Sequence, residues 1–90
     1  MKEDFYANLK SKLEEQFNWP HLYLFKFIIP ADNKKLALVE ALFGEDAQVT
    51  TRQSKSNKFV SVSAKEVMIS ADEVIAVYKK ASKIEGIMSL

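Results

Sequence analysis

Cysteine is absent from these 90 residues, and glycine, proline and histidine are scarce. Without cysteine there is no disulfide, thiol nucleophile or cysteine-based metal site, and the chain suits a reducing cytosol. The only histidine, His21, follows Pro20 as a strand-entry residue, and no Gly-x-Ser-x-Gly motif accompanies it. The two glycines, Gly44 and Gly86, lie in no phosphate-binding loop. These absences predict a protein that is not an enzyme and that holds no cofactor and no metal ion.

Long apolar runs and a strong net charge are also missing. The longest apolar stretch, Leu22–Ile29, is interrupted by Lys26 and falls well short of the roughly 20 residues of a membrane helix. The acidic N-terminus lacks the apolar core of a signal peptide. A net charge of +1 argues against binding of nucleic acid or membranes by the molecule as a whole. We therefore expect a soluble, cytoplasmic protein with no membrane partner.

An amphipathic helix is predicted at the start of the chain. Four apolar residues recur at a spacing of four, namely Phe5, Leu9, Leu13 and Phe17, and this pattern is typical of a helix with one packed side. Pro20 ends the helix, because proline and the residue before it disfavour helical geometry. We assign residues 1–18 to this helix and residues 19–90 to one domain. The stripe packs on that domain or docks on a partner chain.

After residue 18, the sequence predicts secondary-structure elements in the order strand, helix, strand, strand, helix, strand. Aromatic and β-branched residues mark the strands, and Asp32 and Ser70 are helix N-caps, the latter with Glu73 in the capping-box position. The predicted elements are strands at 22–29, 47–53, 58–69 and 84–90, and helices at 32–44 and from 70 onward. This order predicts an α+β, ferredoxin-like βαββαβ sandwich, with an antiparallel four-stranded sheet, two helices on one face and an additional N-terminal helix.

Four local features carry conformational predictions. Gly44 follows the last periodic residue of the first sandwich helix, where a left-handed cap is expected. Asn57 is expected to adopt positive φ in the polar turn between the second and third strands. The alternation of the third strand breaks after Glu66, which predicts a bulge or a bend. Gly86 is placed inside the last strand, where it allows a bulge or a close backbone approach.

The strands also predict which sheet face is buried. Successive side chains point to opposite faces, so Tyr23, Phe25 and Phe27 are placed inward and the set that contains Lys26 outward. The outer face carries Leu24, Lys26, Ile28, Phe59, Ser61 and Ser63. Two interpretations remain open for this largely apolar face: the N-terminal helix covers it, or it is a free interaction surface.

One segment, residues 47–65, is basic. It contains Arg52, Lys55, Lys58 and Lys65, interleaved with hydroxyl residues, and no acid. The cations either receive an anion, an acidic partner or RNA, or they keep an exposed hairpin soluble and discourage edge pairing. The pattern of the RNA-recognition module aligns only at Lys55, Phe59 and Val60. Two of its three aromatic positions are lost, which argues against nucleic acid.

The segment from Ser54 to Ser63, with the capped helix and short strand that follow, resembles the YbeD-like family of uncharacterised bacterial proteins. Trp19-Pro20 through Pro30 and the helix end at Val39–Glu45 share in the resemblance, which covers about residues 19–90. The resemblance implies a ferredoxin-like sandwich similar to ACT-type regulatory domains, which sense amino acids, and it implies no enzyme activity and no catalytic residue. ACT-type sites use a glycine-containing turn after the first strand, whereas this chain has Pro30-Ala31-Asp32 there.

The function that these observations favour is a non-catalytic regulatory or protein-interaction module, either as a homodimer or with another protein. Sensing of a small ligand, an anionic metabolite or an amino acid, is the alternative, and RNA binding ranks below it. The residues predicted to form the interaction or ligand surface are Leu24, Lys26, Arg52, Lys55, Lys58, Phe59, Ser61 and Ser63.

Overall fold

Four antiparallel strands form the sheet, and the computed structural model describes residues 2–90. The strands are β1 (His21–Pro30), β2 (Gln48–Gln53), β3 (Phe59–Met68) and β4 (Met88–Ser89), in the spatial order β2-β3-β1-β4. The helices are α1 (Lys2–Gln16), α2 (Asn33–Glu40) and α3 (Ala71–Ala81). The α+β, ferredoxin-like arrangement with an additional N-terminal helix is confirmed.

The alternation along β1 and β3 decides which sheet face is buried. Phe25, Phe27 and Ile29 of β1 are buried with Val62 and Ala64 of β3. Residues from α2 and α3 join the same core: Val39, Val74, Val77 and Ala81. Both helices therefore cover the inner face, as predicted. Since each fully buried aromatic or branched aliphatic side chain contributes roughly 1.5–3 kcal/mol, this layer supplies most of the hydrophobic stabilisation.

Side-chain caps start α2 and α3 where the sequence predicts. The Asp32 carboxylate accepts hydrogen bonds from the Lys34 and Lys35 amides at 2.8 and 3.3 Å. The Ser70 hydroxyl accepts one from the Glu73 amide at 3.2 Å. Each cap satisfies backbone donors that have no partner within the helix. The two helices are thereby fixed at the points where the chain leaves β1 and β3.

Helix α1 packs against α3, beside the sandwich, and leaves the outer sheet face free. Leu13 is only 3% exposed and belongs to the core, whereas Phe5 is 63% exposed. Phe5 therefore lies outside the side of the helix that packs on this chain, because a spacing of four drifts by about 40° per step from the 3.6-residue helical repeat. Two surface ion pairs join the helices: Lys10–Asp72 at 3.0 Å and Lys79–Glu3 at 3.5 Å.

The predicted end of α2 at Gly44 is wrong. The helix ends at Glu40, and the chain then turns through hydrogen bonds from Leu42 to Val39 and from Phe43 to Glu40. Gly44 is not left-handed. Its amide instead donates to the Glu66 Oε2 atom at 2.9 Å, so the glycine provides a close approach to β3.

The last strand is much shorter than predicted. It contains only Met88 and Ser89, because Gly86, with φ of 82°, turns the chain just before it. A Cβ on Gly86 would lie 2.9 Å from the Pro30 Cγ atom, so the close backbone approach is present but outside the strand. The β1–β3 register continues without a break to Met68, so no bulge follows Glu66, and the chain instead bends at Ile69 and Ser70, just after β3. Asn57 has φ of 60°, as predicted.

Candidate functional site

The outward side chains of the four strands form one continuous surface, which we call the open face. Its members, read from the register, are Leu22, Leu24, Lys26 and Ile28 of β1, Gln48, Thr50 and Arg52 of β2, Phe59, Ser61, Ser63, Lys65 and Val67 of β3, and Met88 of β4. Cross-strand partners lie in rows, such as Lys26–Ser63–Thr50 and Ile28–Ser61–Arg52. Alternation places the members of each strand on this face, and the pairing of the strands brings them together.

No helix among residues 2–90 covers the open face. Five of its large apolar side chains are between 43% and 57% exposed, and they are Leu22, Leu24, Phe59, Val67 and Met88. Because α1 lies against α3 on the other side, the first of the two interpretations of this face is excluded. The apolar outer residues are therefore surface and not a second core.

Three cations lie on the open face, and no carboxylate lies among its strand residues. Lys26 is directly opposite Ser63, and Lys65 lies two residues further along β3, diagonal to Lys26. This arrangement places Lys26 and Lys65 roughly 7–8 Å apart. Arg52 lies on the neighbouring strand β2, opposite Ser61. Among residues 2–90 the ion pairs are those of α1 with α3, so these three cations are uncompensated by an ion pair. The face is therefore electropositive.

The basic residues of the hairpin are a separate group. Lys55 and Lys58 lie in the turn between β2 and β3 and are exposed. The turn is closed by Ser54, whose amide donates to the Phe59 carbonyl at 2.9 Å and whose hydroxyl accepts from the Phe59 amide at 3.2 Å. The eight predicted surface residues thus divide into six on the open face and two at the hairpin tip.

Sequence reasoning left several members out of the predicted surface. Lys65 and Val67 continue the outward alternation of β3, and Gln48 and Thr50 do the same for β2. Period-2 counting through the whole of each strand identifies all four. Met88 could not be found in this way, because its position depends on how β4 pairs with Ile28.

A cavity of about 270 Å³ borders the open face at the end where β1 begins. It is lined by Leu22, Asp46, Gln48, Lys65, Glu66 and Val67. The two carboxylates make this end of the face less positive than the end that carries Arg52. With two carboxylates and one lysine in its lining, this cavity suits an anionic ligand poorly.

Tyr78 is the one strongly perturbed group among the described residues. Burial, together with a hydrogen bond of 3.2 Å to the Tyr23 hydroxyl, raises the pKa of Tyr78 well above its ordinary value. Its ring packs edge-on against Phe25 and Phe27 in the core. Elsewhere, the Asp72 carboxylate raises the pKa of Lys10 through a hydrogen bond and charge attraction. Neither group lies on the open face.

Catalytic and metal chemistry gain no support within residues 2–90. No group of three His, Asp or Glu side chains is placed to hold a metal ion there. His21 stacks on the Phe17 ring, with 4.3 Å between ring centroids, as a strand-entry residue packed between neighbours. Over the same residues, no helix is both long and apolar enough to cross a membrane.

These features define a class of protein: a small ferredoxin-like α+β sandwich with one open, electropositive sheet face. The family model described as "Protein of unknown function (DUF493)" matches residues 14–90, and the chain belongs to this family. This is the YbeD-like family that the hairpin segment resembles, so that prediction is confirmed. The match begins at Glu14, within the last turn of α1. Comparison with curated proteins and with solved structures gave no match.

Proposed function

We propose that this protein is a non-catalytic regulatory or interaction module, and that its open face binds a partner protein with apolar and acidic groups. One observation carries the proposal: exposed apolar side chains and uncompensated cations share one uncovered sheet face. Contiguous apolar surface of this kind is typical of interaction sites. The partner would bury leucine and phenylalanine side chains and place carboxylates near the cations.

Charge favours a different protein over a second copy as the partner on this face. Two open faces packed together would bury two surfaces that each carry Lys26, Arg52 and Lys65 and no carboxylate among the strand residues. Like charges that face each other across an interface are destabilising. A face-to-face homodimer is therefore the weaker proposal, and its detection is one outcome of the test.

The two other ligand classes have less support. Small-molecule sites are concave, with volumes of roughly 300–1,000 Å³. One cavity that touches the open face is smaller and contains Asp46 and Glu66. The larger cavity that reaches Leu22 and Leu24 lies along the edge of β1, and Lys12 is its one charged side chain. Single-stranded RNA needs aromatic platforms. Phe59 is the only aromatic ring of the open face, because Tyr23, Phe25 and Phe27 point inward.

Matched charge reversals test the proposal. Three proteins are used as bait in cells of the source organism. They are the full chain, the double variant Lys26→Glu/Arg52→Glu on the open face, and the double variant Lys55→Glu/Lys58→Glu at the hairpin tip. Both double variants change the net charge equally. Captured proteins are identified by mass spectrometry, and each candidate is then measured with purified components.

We expect a purified partner whose affinity falls at least about tenfold in the face variant and less than about threefold in the tip variant. Equal melting temperatures would show that both variants fold. Equal losses in both variants would indicate general charge attraction, and a partner lost only with the tip variant would place the site in the hairpin. Either result contradicts the proposal, as does a homodimer whose association depends on Lys26 and Arg52.

A further inference from the structure

The edge of β1 is open over half of its length. β4 pairs only with Phe27 and Ile28, and the Leu90 amide adds one hydrogen bond to the Lys26 carbonyl at 2.9 Å. β1 itself begins at His21. Residues 21–25 of β1 therefore lie at a free edge of the sheet, on the side away from β3.

Backbone groups at this edge point toward the open side at alternate residues. The Ala31 amide donates to the Lys58 carbonyl, so the odd-numbered residues of β1 bond toward β3, and the Lys26 carbonyl bonds toward Leu90 on the other side. In an antiparallel strand this alternation continues, so the N–H and C=O groups of Leu22 and Leu24 face the open edge. Within residues 2–90 no strand pairs with them on that side.

A groove runs along this edge, with α1 as its wall. One cavity of about 440 Å³ is lined by Leu9, Lys12, Leu13 and Gln16 of α1, by Phe17 directly after the helix, and by residues 21–24 of β1. A second cavity of about 410 Å³ shares Leu9 and Tyr23 with the first and reaches Ser89 and Leu90. The two cavities together extend from the start of β1 to the end of β4.

We propose that this groove receives an extended peptide of a partner protein, which adds a strand antiparallel to β1 and in line with β4. Strand addition satisfies the free backbone groups of Leu22 and Leu24. Apolar peptide residues opposite these two leucines would cover their exposed side chains. Lys12 is the only Lys, Arg, Asp or Glu side chain of the larger cavity, so a carboxylate on the helical side of the peptide complements it. This proposal concerns the sheet edge and does not rest on the proposed function of the open face.

A second copy of the chain fits this edge less well than a peptide. β1 of another copy carries its own helices on its inner face, and α1 already lines the groove on that side. Pairing of the two β1 edges would bring both copies of α1 into the same space. An extended segment without a helical layer avoids this conflict.

The test uses the full-length chain and a synthetic peptide of about eight residues, in which valine alternates with threonine and glutamate. Binding is followed by amide hydrogen exchange and by NMR titration. We expect slower exchange at the amides of Leu22 and Leu24, and no change at Tyr23 and Phe25, whose amides bond to β3. Lys12→Glu should weaken binding at least about threefold.

Backbone N-methylation of the peptide supplies the matched control. Methyl groups at the residues that pair with Leu22 and Leu24 should weaken binding at least about tenfold, whereas methyl groups at the intervening residues should leave it within about twofold. Equal effects of the two methylation patterns overturn the proposal. So does the absence of binding at about 1 mM peptide, and so does protection of Leu22 and Leu24 through dimerisation without peptide.

Discussion

Replacement of Leu13 by alanine tests whether α1 is an integral part of the fold. Leu13 is the buried residue of α1 and belongs to the core. The change removes three carbon atoms, worth about 2.4 kcal/mol at roughly 0.8 kcal/mol each, and it leaves a cavity that adds to the cost. We expect the free energy of unfolding to fall by about 2–4 kcal/mol.

Phe5→Ala is the matched control, because it truncates a larger side chain on the same helix that is mostly exposed. Its expected cost is less than about 0.5–1 kcal/mol. Urea denaturation followed by circular dichroism measures both variants, and the slope with urea reports whether α1 unfolds with the rest. A loss below about 0.5 kcal/mol for Leu13→Ala, or equal losses in the two variants, would refute the docking of α1 on the core.

Two further changes test the turns and the core. Gly86→Ala should destabilise the fold by about 1–3 kcal/mol, because φ is 82° and the new Cβ meets Pro30. Gly44→Ala should destabilise it less, since its Cβ meets only the movable Glu66 carboxylate. Equal melting temperatures for the two variants would contradict this difference. The raised pKa of Tyr78 means that its contribution to stability is complete below the unfolded tyrosine pKa of about 10 and falls as pH rises above it. As pH rises above about 10, the urea midpoint should fall more steeply for the native chain than for Tyr78→Phe. Parallel curves for the two proteins would contradict the raised pKa of Tyr78.

The alternation of β1 and β3 made both sheet faces predictable from sequence. Phe25 and Val62 are buried and Lys26 and Ser61 are outward, because a period of two is a local property of each strand. The caps at Asp32 and Ser70 were predictable for the same reason, since each uses backbone groups within three residues.

Features that depend on distant contacts were not predictable. The length of β4 is limited by the turn at Gly86, which is set by its approach to Pro30, a residue far away in sequence. The free edge of β1 follows from that short pairing and has no signal within β1 itself. The packing of α1 on α3 likewise brings together residues that are far apart in sequence, such as Lys10 and Asp72, and a helical stripe cannot identify them.

The groove beside β1 also has a kinetic consequence. Phe5 and Tyr6 line the same cavity as Ser89 and Leu90, so the two ends of the sequence must meet before this edge is complete. Contacts between such distant residues form late, because the entropy of closing a long loop opposes them. During synthesis on the ribosome, the β1–β3 core is available before β4 exists. We therefore expect this edge to be the last part of the sheet to close and the first to open in local unfolding.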